Sequence, residues 1–280
     1  MIPNSFEYKK ATSVEEAISL LGDDVQILGG GHSLIPTLKL RLNAPETLVD
    51  ISKIESLKVI RDNENSITVG GGATHASIAA DASLAEHAPM MAQAAKEIGD
   101  IQVRNVGTIG GSMAHADPAA DWPAVLLACD ANVVIQGKDG KREVDIDQFF
   151  KGFYETALAE GEIITAVRIP KMASNRHSIY VKFKQPASRF AIVGCAIGIE
   201  MEGGVVKSAR IGMTGVGEFA YRAMNVEKAL VGQALTAESI EAAVKNVTEG
   251  AEVMSDHYAS QEYRTHLAHV YVKRALKKLV

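Results

Sequence analysis

Cysteine is nearly missing from this 280-residue chain: it has only Cys129 and Cys195, far apart and in no Cys-x-x-Cys pair. That argues against a thiolate-held iron–sulfur cluster or a structural zinc on this chain. Two lone thiols fit a reducing, cytoplasmic setting. Long apolar runs are missing too. No stretch approaches the roughly 18 apolar residues of a membrane-spanning helix, and Met1–Lys10 lacks the apolar segment of a signal peptide. Positive charge is in deficit. The 29 Lys and Arg against 34 Asp and Glu leave a net charge of −5, which argues against a nucleic acid partner, whose phosphates call for a basic face. Repeats and low-complexity tracts are absent. With 47% hydrophobic and 22% charged residues, the composition is that of an ordinary globular protein and excludes a disordered, collagenous or coiled-coil chain. The length suits one large domain or two modest ones.

What the chain does have is glycine in groups: Gly29-Gly30-Gly31, Gly70-Gly71-Gly72, and Gly107 with Gly110-Gly111. The opening segment predicts a helix from Val14 to Leu21, started by a Ser13/Glu16 capping box and stopped at Gly22. A strand Val25–Leu28 then runs into the first glycine group, followed by a short helix begun near Ser33–Pro36 and a strand over 47–51. Strands are expected over 66–69 and 132–136, helices over 78–85, 90–98 and 122–129, and a loop over most of 99–111. Lys138-Asp139-Gly140-Lys141 reads as a hairpin turn. A polar stretch near Lys171–Ser178 marks a domain boundary, giving domains 1–174 (lobes about 1–55 and 56–174) and 175–280. The second domain reads as antiparallel strands over 179–184, 191–200 and 205–213, with a hairpin at Gly203-Gly204. Two amphipathic helices, 236–250 and 260–279, are placed on one face of that sheet.

Gly29-Gly30-Gly31-His32-Ser33 lies between a strand and a short helix. Consecutive glycines remove the Cβ atoms that would block a ligand, and successive amides there form an anion nest suited to pyrophosphate. The alternative is a tight turn that holds nothing. Thr108-Ile109-Gly110-Gly111-Ser112 reads as a second loop of the same kind with added hydroxyls, and two such loops suit a dinucleotide. Neither loop ends in the Gly-Lys-Ser/Thr of a P-loop, and neither Gly29 nor Gly70 opens a Gly-x-Gly-x-x-Gly/Ala fingerprint. Gly215-Val216-Gly217-Glu218-Phe219-Ala220 matches that fingerprint but follows an antiparallel strand, so it reads as a structural turn. His115 and Asp117 lack a third ligand and do not read as a metal site. Asp121, before Trp122-Pro123, reads as a helix N-cap compatible with accepting a hydrogen bond from a ribose or adenine group. The eight histidines read as surface groups or as groups behind a site, not as catalysts.

These residues resemble a known family. Gly29-Gly30-Gly31-His32-Ser33-Leu34-Ile35-Pro36 is similar to the Ala-Gly-Gly-His/Gln-Ser-Leu-x-Pro pyrophosphate loop of the FAD-binding medium subunits of molybdenum hydroxylases, with Gly29 in place of alanine. Thr108–Ser112 followed by Ala116-Asp117-Pro118-Ala119-Ala120-Asp121 resembles their second FAD loop. Gly70–His75, Gly161-Glu162-Ile163-Ile164 and Phe183-Lys184-Gln185 resemble three further segments, in family order. Medium subunits of the carbon monoxide dehydrogenase type are the most similar.

The resemblance implies an α+β fold: a two-lobed FAD-binding domain of the vanillyl-alcohol-oxidase (PCMH) type plus a small C-terminal antiparallel sheet-and-helix domain. It implies FAD between the lobes, held by Gly29, Gly30, Gly31, His32, Ser33, Leu34, Thr108, Ile109, Gly110, Gly111, Ser112, Asp117 and Asp121. Ile98, Thr165 and Lys184 would line the cofactor, Lys184 near the flavin ring. The molybdenum cofactor and [2Fe–2S] clusters would sit on separate large and small subunits, in a dimer of three-subunit units. The inserted cysteine-rich loop of the benzoyl-CoA reductase branch, which carries a [4Fe–4S] cluster, is missing. The expected function is an oxidoreductase relay, with electrons passing from partner clusters through FAD to an external acceptor. The rivals are a free-standing FAD oxidase or dehydrogenase of the same fold and a non-enzymatic subunit that has lost FAD.

Overall fold

A computed structural model describes residues 1–279. The chain opens with a parallel three-stranded sheet in which Thr47–Asp50 lies between Glu7–Lys10 and Val25–Leu28. All four residues of the middle strand are buried, as a parallel sheet covered by helices requires. The helix Val14–Ser19 begins where expected, with the Ser13 hydroxyl accepting from the Glu16 amide at 3.0 Å. The Glu16 carboxylate reaches one residue further back than a capping box predicts, accepting from the Thr12 amide at 2.7 Å. A small apolar cluster of Ala11, Val14, Ala17, Val49, Ile54 and Leu57 closes over Ile163 of the next unit.

The second sheet has five antiparallel strands in the order Ile60–Asp62, Ser66–Gly70, Ile163–Pro170, Asn132–Gly137 and Gly140–Asp145. Its central strand, Ile163–Pro170, is absent from the sequence-based expectations because its partners lie far away in the chain. The helices His75–Ala80, Ala82–His87, Pro89–Glu97, Ile101–Val106, Ile109–His115 and Asp121–Cys129 belong to this unit. The loop expected over 99–111 is therefore overturned. The Asp100 carboxylate accepts from the Val103 amide at 2.9 Å and caps a six-residue helix, a length too short to show a helical period.

The third unit is an antiparallel sheet of Arg176–Lys184, Ala191–Glu202, Val205–Thr214 and Tyr221–Arg222. Helices Met224–Leu230, Ala237–Val244 and Gln261–Lys277 pack on one face around Val193, Cys195, Ile197, Ile211 and Met213. The other face meets the helix Asp121–Cys129. All nine residues of that helix are buried, the mark of a helix enclosed on every side. A Cβ at Gly212 would stand 2.0 Å from the Ala124 carbonyl oxygen, so only glycine lets the sheet approach the helix backbone. Beyond Thr214 the Gly215–Ala220 segment leaves this sheet, and the Gly215 amide donates to the Pro118 carbonyl at 2.8 Å. It opens no helix of a phosphate-binding kind.

Candidate cofactor cleft

A cleft of about 960 Å³ lies where the three units meet. It stands at the upper end of the roughly 300–1,000 Å³ common for small-molecule sites. The first glycine turn, Gly29 to Ser33, forms one wall. The carbonyls of Gly31 and Ser33 accept from the Ile35 and Thr37 amides, which start the short helix Leu34–Lys39. The amides of Gly30, Gly31, His32 and Ser33 have no acceptor among the described residues. A turn that spends its carbonyls internally and leaves successive amides free suits an anionic ligand. Here the alternative of a turn that holds nothing would leave that donor potential unexplained.

The second loop behaves differently from its sequence expectation. Thr108 caps the helix Ile109–His115, its hydroxyl accepting from the Gly111 amide at 3.1 Å. The Ile109 amide donates to the Ala73 carbonyl, Gly110 to Gly71 and Ser112 to Thr108. It is therefore not a second amide nest. It offers hydroxyl groups and a closely fitted backbone. A Cβ at Gly110 would stand 2.6 Å from the Gly71 carbonyl oxygen, and one at Gly30 2.5 Å from the Val106 carbonyl oxygen. The two glycine loops thus touch, backbone to backbone, across the cleft floor.

Of the residues expected to hold the cofactor, Gly29, Gly30, Gly31, His32, Ser33, Leu34, Ile98, Thr108, Gly110, Gly111, Ser112, Asp117 and Asp121 all line this cleft. Three do not reach it. Ile109 is fully buried behind the loop. The Thr165 hydroxyl donates to the Val134 carbonyl at 3.2 Å, and its own carbonyl accepts from Gly71, so it braces the floor from beneath. Lys184 is half exposed and pairs with Glu97 at 3.3 Å. Glu97 ends the helix Pro89–Glu97, which packs against the same strand through the bond from the Tyr180 amide to Gln93.

The lysine that does enter the interior is Lys182, 1% exposed, with its Nζ 2.8 Å from Asp121. Asp121 is the first residue of its helix, not the cap; Ala120 holds that place. The Asp121 carboxylate instead accepts from the Tyr180 hydroxyl and from Lys182. Burial raises its pKa and the Lys182 charge opposes that shift. Lys182 also donates to the Arg189 carbonyl at 2.7 Å, and the Arg189 guanidinium donates to the Gly99 carbonyl at 3.1 Å. These bonds hold Ser188, Arg189 and Phe190 against the cleft as a wall contributed by the third unit. At another side the Tyr154 hydroxyl donates to Asp117 at 3.1 Å, and its ring meets His115 with centroids 5.1 Å apart.

Sequence reasoning missed Lys182, Tyr180, the Arg189 wall and His75. His75 is 5% exposed, lines the cleft and accepts a hydrogen bond from Trp122. The Gly70–His75 segment was the available signal, and it marked the stretch without marking the ring.

Comparison with known proteins agrees with this geometry. The family described as "FAD binding domain in molybdopterin dehydrogenase" matches residues 4–172, and "CO dehydrogenase flavoprotein C-terminal domain" matches 178–279. The carbon monoxide dehydrogenase medium chain of Hydrogenophaga pseudoflava is 38% identical, over 99% of this chain and 97% of the relative. The glyceraldehyde dehydrogenase medium chain of Sulfolobus acidocaldarius is 33% identical over the whole of both chains. A solved carbon monoxide dehydrogenase from Hydrogenophaga pseudoflava, lacking the Mo-pyranopterin moiety of the molybdenum cofactor, superposes with a TM-score of 0.97 at 40% identity. That match covers 100% of this chain and 98% of the solved one. With an amide-rich turn, a dinucleotide-sized cleft and family matches over both halves, the chain belongs to the FAD-binding medium chains of the molybdenum hydroxylases, a family of oxidoreductases.

Proposed function

We propose that this chain is the electron-transfer subunit of a multi-subunit molybdenum hydroxylase. Electrons taken from a substrate at a molybdenum cofactor on a large partner subunit would reach FAD here through [2Fe–2S] clusters on a small one, and leave for an external acceptor. The observation that carries this reading is the cleft, with four free amides at one wall. Bound FAD supplies the ability to exchange electrons singly or in pairs, and that chemistry belongs to the cofactor. The chain's own residues bind and orient. The amides of Gly30–Ser33 and the hydroxyls of Thr108 and Ser112 would take the pyrophosphate. Asp121, held by Tyr180 and Lys182, would accept from the adenosine half. Ile98 and Phe190 would cover apolar parts of the cofactor. Names ending in "medium chain" among the relatives support large and small partners. We further propose a dimer of three-subunit units, located in the cytoplasm, and a domain division near residue 174.

The test is the visible spectrum of the purified chain and of its co-expressed complex, with mass identification of any cofactor released by heat. One FAD per chain, together with flavin reduction by an artificial donor and no turnover of organic substrates by the isolated chain, is the expected result. A complex without FAD would overturn the relay. Steady substrate turnover by the isolated chain would replace it with a free-standing flavoenzyme.

A further inference from the structure

His75 opens the helix His75–Ala80, just after its cap Thr74. Its amide donates to the Gly107 carbonyl at 3.0 Å, and its Nδ1 lies 3.0 Å from the Trp122 indole nitrogen. An indole nitrogen only donates. Nδ1 must therefore accept, and the ring proton sits on Nε2. Among the described residues Nε2 has no acceptor, and on this cleft-lining residue, 5% exposed overall, it is not one of the sealed polar atoms left without a partner. Nε2 therefore keeps its access to the cleft, where an acceptor from outside the chain can meet its proton. A Cβ at Gly107 would stand 2.8 Å from Nε2, and one at Gly30 would stand 2.8 Å from the Gly107 Cα. The imidazole, Gly107 and the amide-rich turn are thus stacked at one place on the cleft wall. Burial, with the charges of His32 and Arg104 acting the same way, pushes the His75 pKa down to about 4. At neutral pH the ring is uncharged with a single fixed donor.

We propose that His75 is a cofactor-binding residue whose Nε2–H donates to a pyrophosphate oxygen of FAD, with Trp122 as the positioning residue that fixes the tautomer. The free amides of 30–33 and the positive charge of Arg104 lie about this point, and the nearby carbonyls of Val103 and Gly107 already accept from the Gly107 and His75 amides. That favours an anionic oxygen over the flavin ring. The inference rests on the cleft being the bed of FAD.

The experiment titrates FAD and, separately, ADP into the flavin-stripped full-length protein, with any subunits that co-purify. Binding is compared for the wild type, His75→Phe and His75→Gln. Loss of a bond to a charged acceptor should weaken both ligands on the order of tenfold or more in His75→Phe. Gln, whose amide reaches about as far as Nε2, should recover most of it. Equal FAD binding by the wild type and a folded His75→Phe overturns the inference alone. A loss for FAD with none for ADP overturns the pyrophosphate assignment. No FAD uptake by the wild type overturns the bed and this inference together. Independent of any variant, the 15N spectrum of the histidines should show His75 protonated at Nε2 and bare at Nδ1, with Nε2 shifting on FAD addition. A proton on Nδ1, or no shift, would refute it.

Discussion

Replacing Lys182 by Met removes the positive partner of Asp121 while keeping the length of the side chain. In the wild-type protein both groups are almost out of water, at 1% and 5% exposure, and stand 2.8 Å apart. Breaking such a buried pair from one side strands a charge and costs about 3–5 kcal/mol. At about 2–4 °C per kcal/mol for a chain somewhat shorter than this one, the midpoint of thermal unfolding should fall by about 6–20 °C. The sign with pH follows from the carboxyl left behind. Burial already raises the Asp121 pKa, and losing Lys182 raises it further. In the variant the folded state then holds a proton that the unfolded chain gives up near pH 4. The deficit relative to the wild type should therefore be small in acid and grow as pH rises through the elevated pKa. Adding Asp121→Asn should recover most of the loss, because the Tyr180 hydroxyl can still donate to an amide oxygen and no charge remains. Calorimetry on the four proteins of this cycle at pH 5 and pH 8 measures it. An unchanged midpoint for Lys182→Met, or a deficit that does not depend on pH, would refute the buried pair as described.

Gly30→Ala would place a Cβ 2.5 Å from the Val106 carbonyl oxygen and should weaken FAD binding at least tenfold, whereas Gly22→Ala, which meets nothing within 4 Å, should leave a fluorescence titration unchanged. The depressed pKa of His75, about 4 against an ordinary 6.5, means the unfolded chain takes up a proton that the folded chain refuses. The stability of the wild type should hold above pH 6.5 and fall by about 3 kcal/mol between pH 6.5 and 4, a component that denaturant titrations should find missing in His75→Phe. Burial pushes the Cys129 thiol up to about 12 and the Cys195 thiol also upward. Both should ignore a thiol reagent in the native protein and react only as fast as it unfolds.

The readability of the sequence differed sharply between parts of this molecule. The first glycine turn was legible because its constraint is local: three residues without Cβ atoms, next to a strand, announce a place where backbone must come close. The helix Asp121–Cys129 was legible as a short apolar run, and the hairpins at Gly140 and Gly203–Gly204 by their turn residues. What escaped depends on pairs distant in sequence. Ile163–Pro170 is central because it meets Ser66–Gly70 on one side and Asn132–Gly137 on the other, and nothing within the strand states that. Trp122 meets His75 across 47 residues. The choice between Lys182 and Lys184 turns on partners far along the chain, Asp121 for the one and Glu97 for the other. Alternation alone assigns both lysines to one side. The second glycine loop misled because glycine was read as free amide, whereas its amides are taken up by Ala73, Gly71 and Thr108.

The contact of Gly30 with Val106 and Gly107 joins the two lobes main chain to main chain, beside the apolar cluster that closes over Ile163. Such a joint has no side chains to exchange. At that point the width is fixed by the radii of carbonyl oxygens and α-carbons. The outer surfaces of the chain are therefore at liberty to change with the partner or the acceptor while the distance between the lobes stays the same. A lineage of such proteins can diversify in what it oxidises without ever renegotiating the berth of its cofactor.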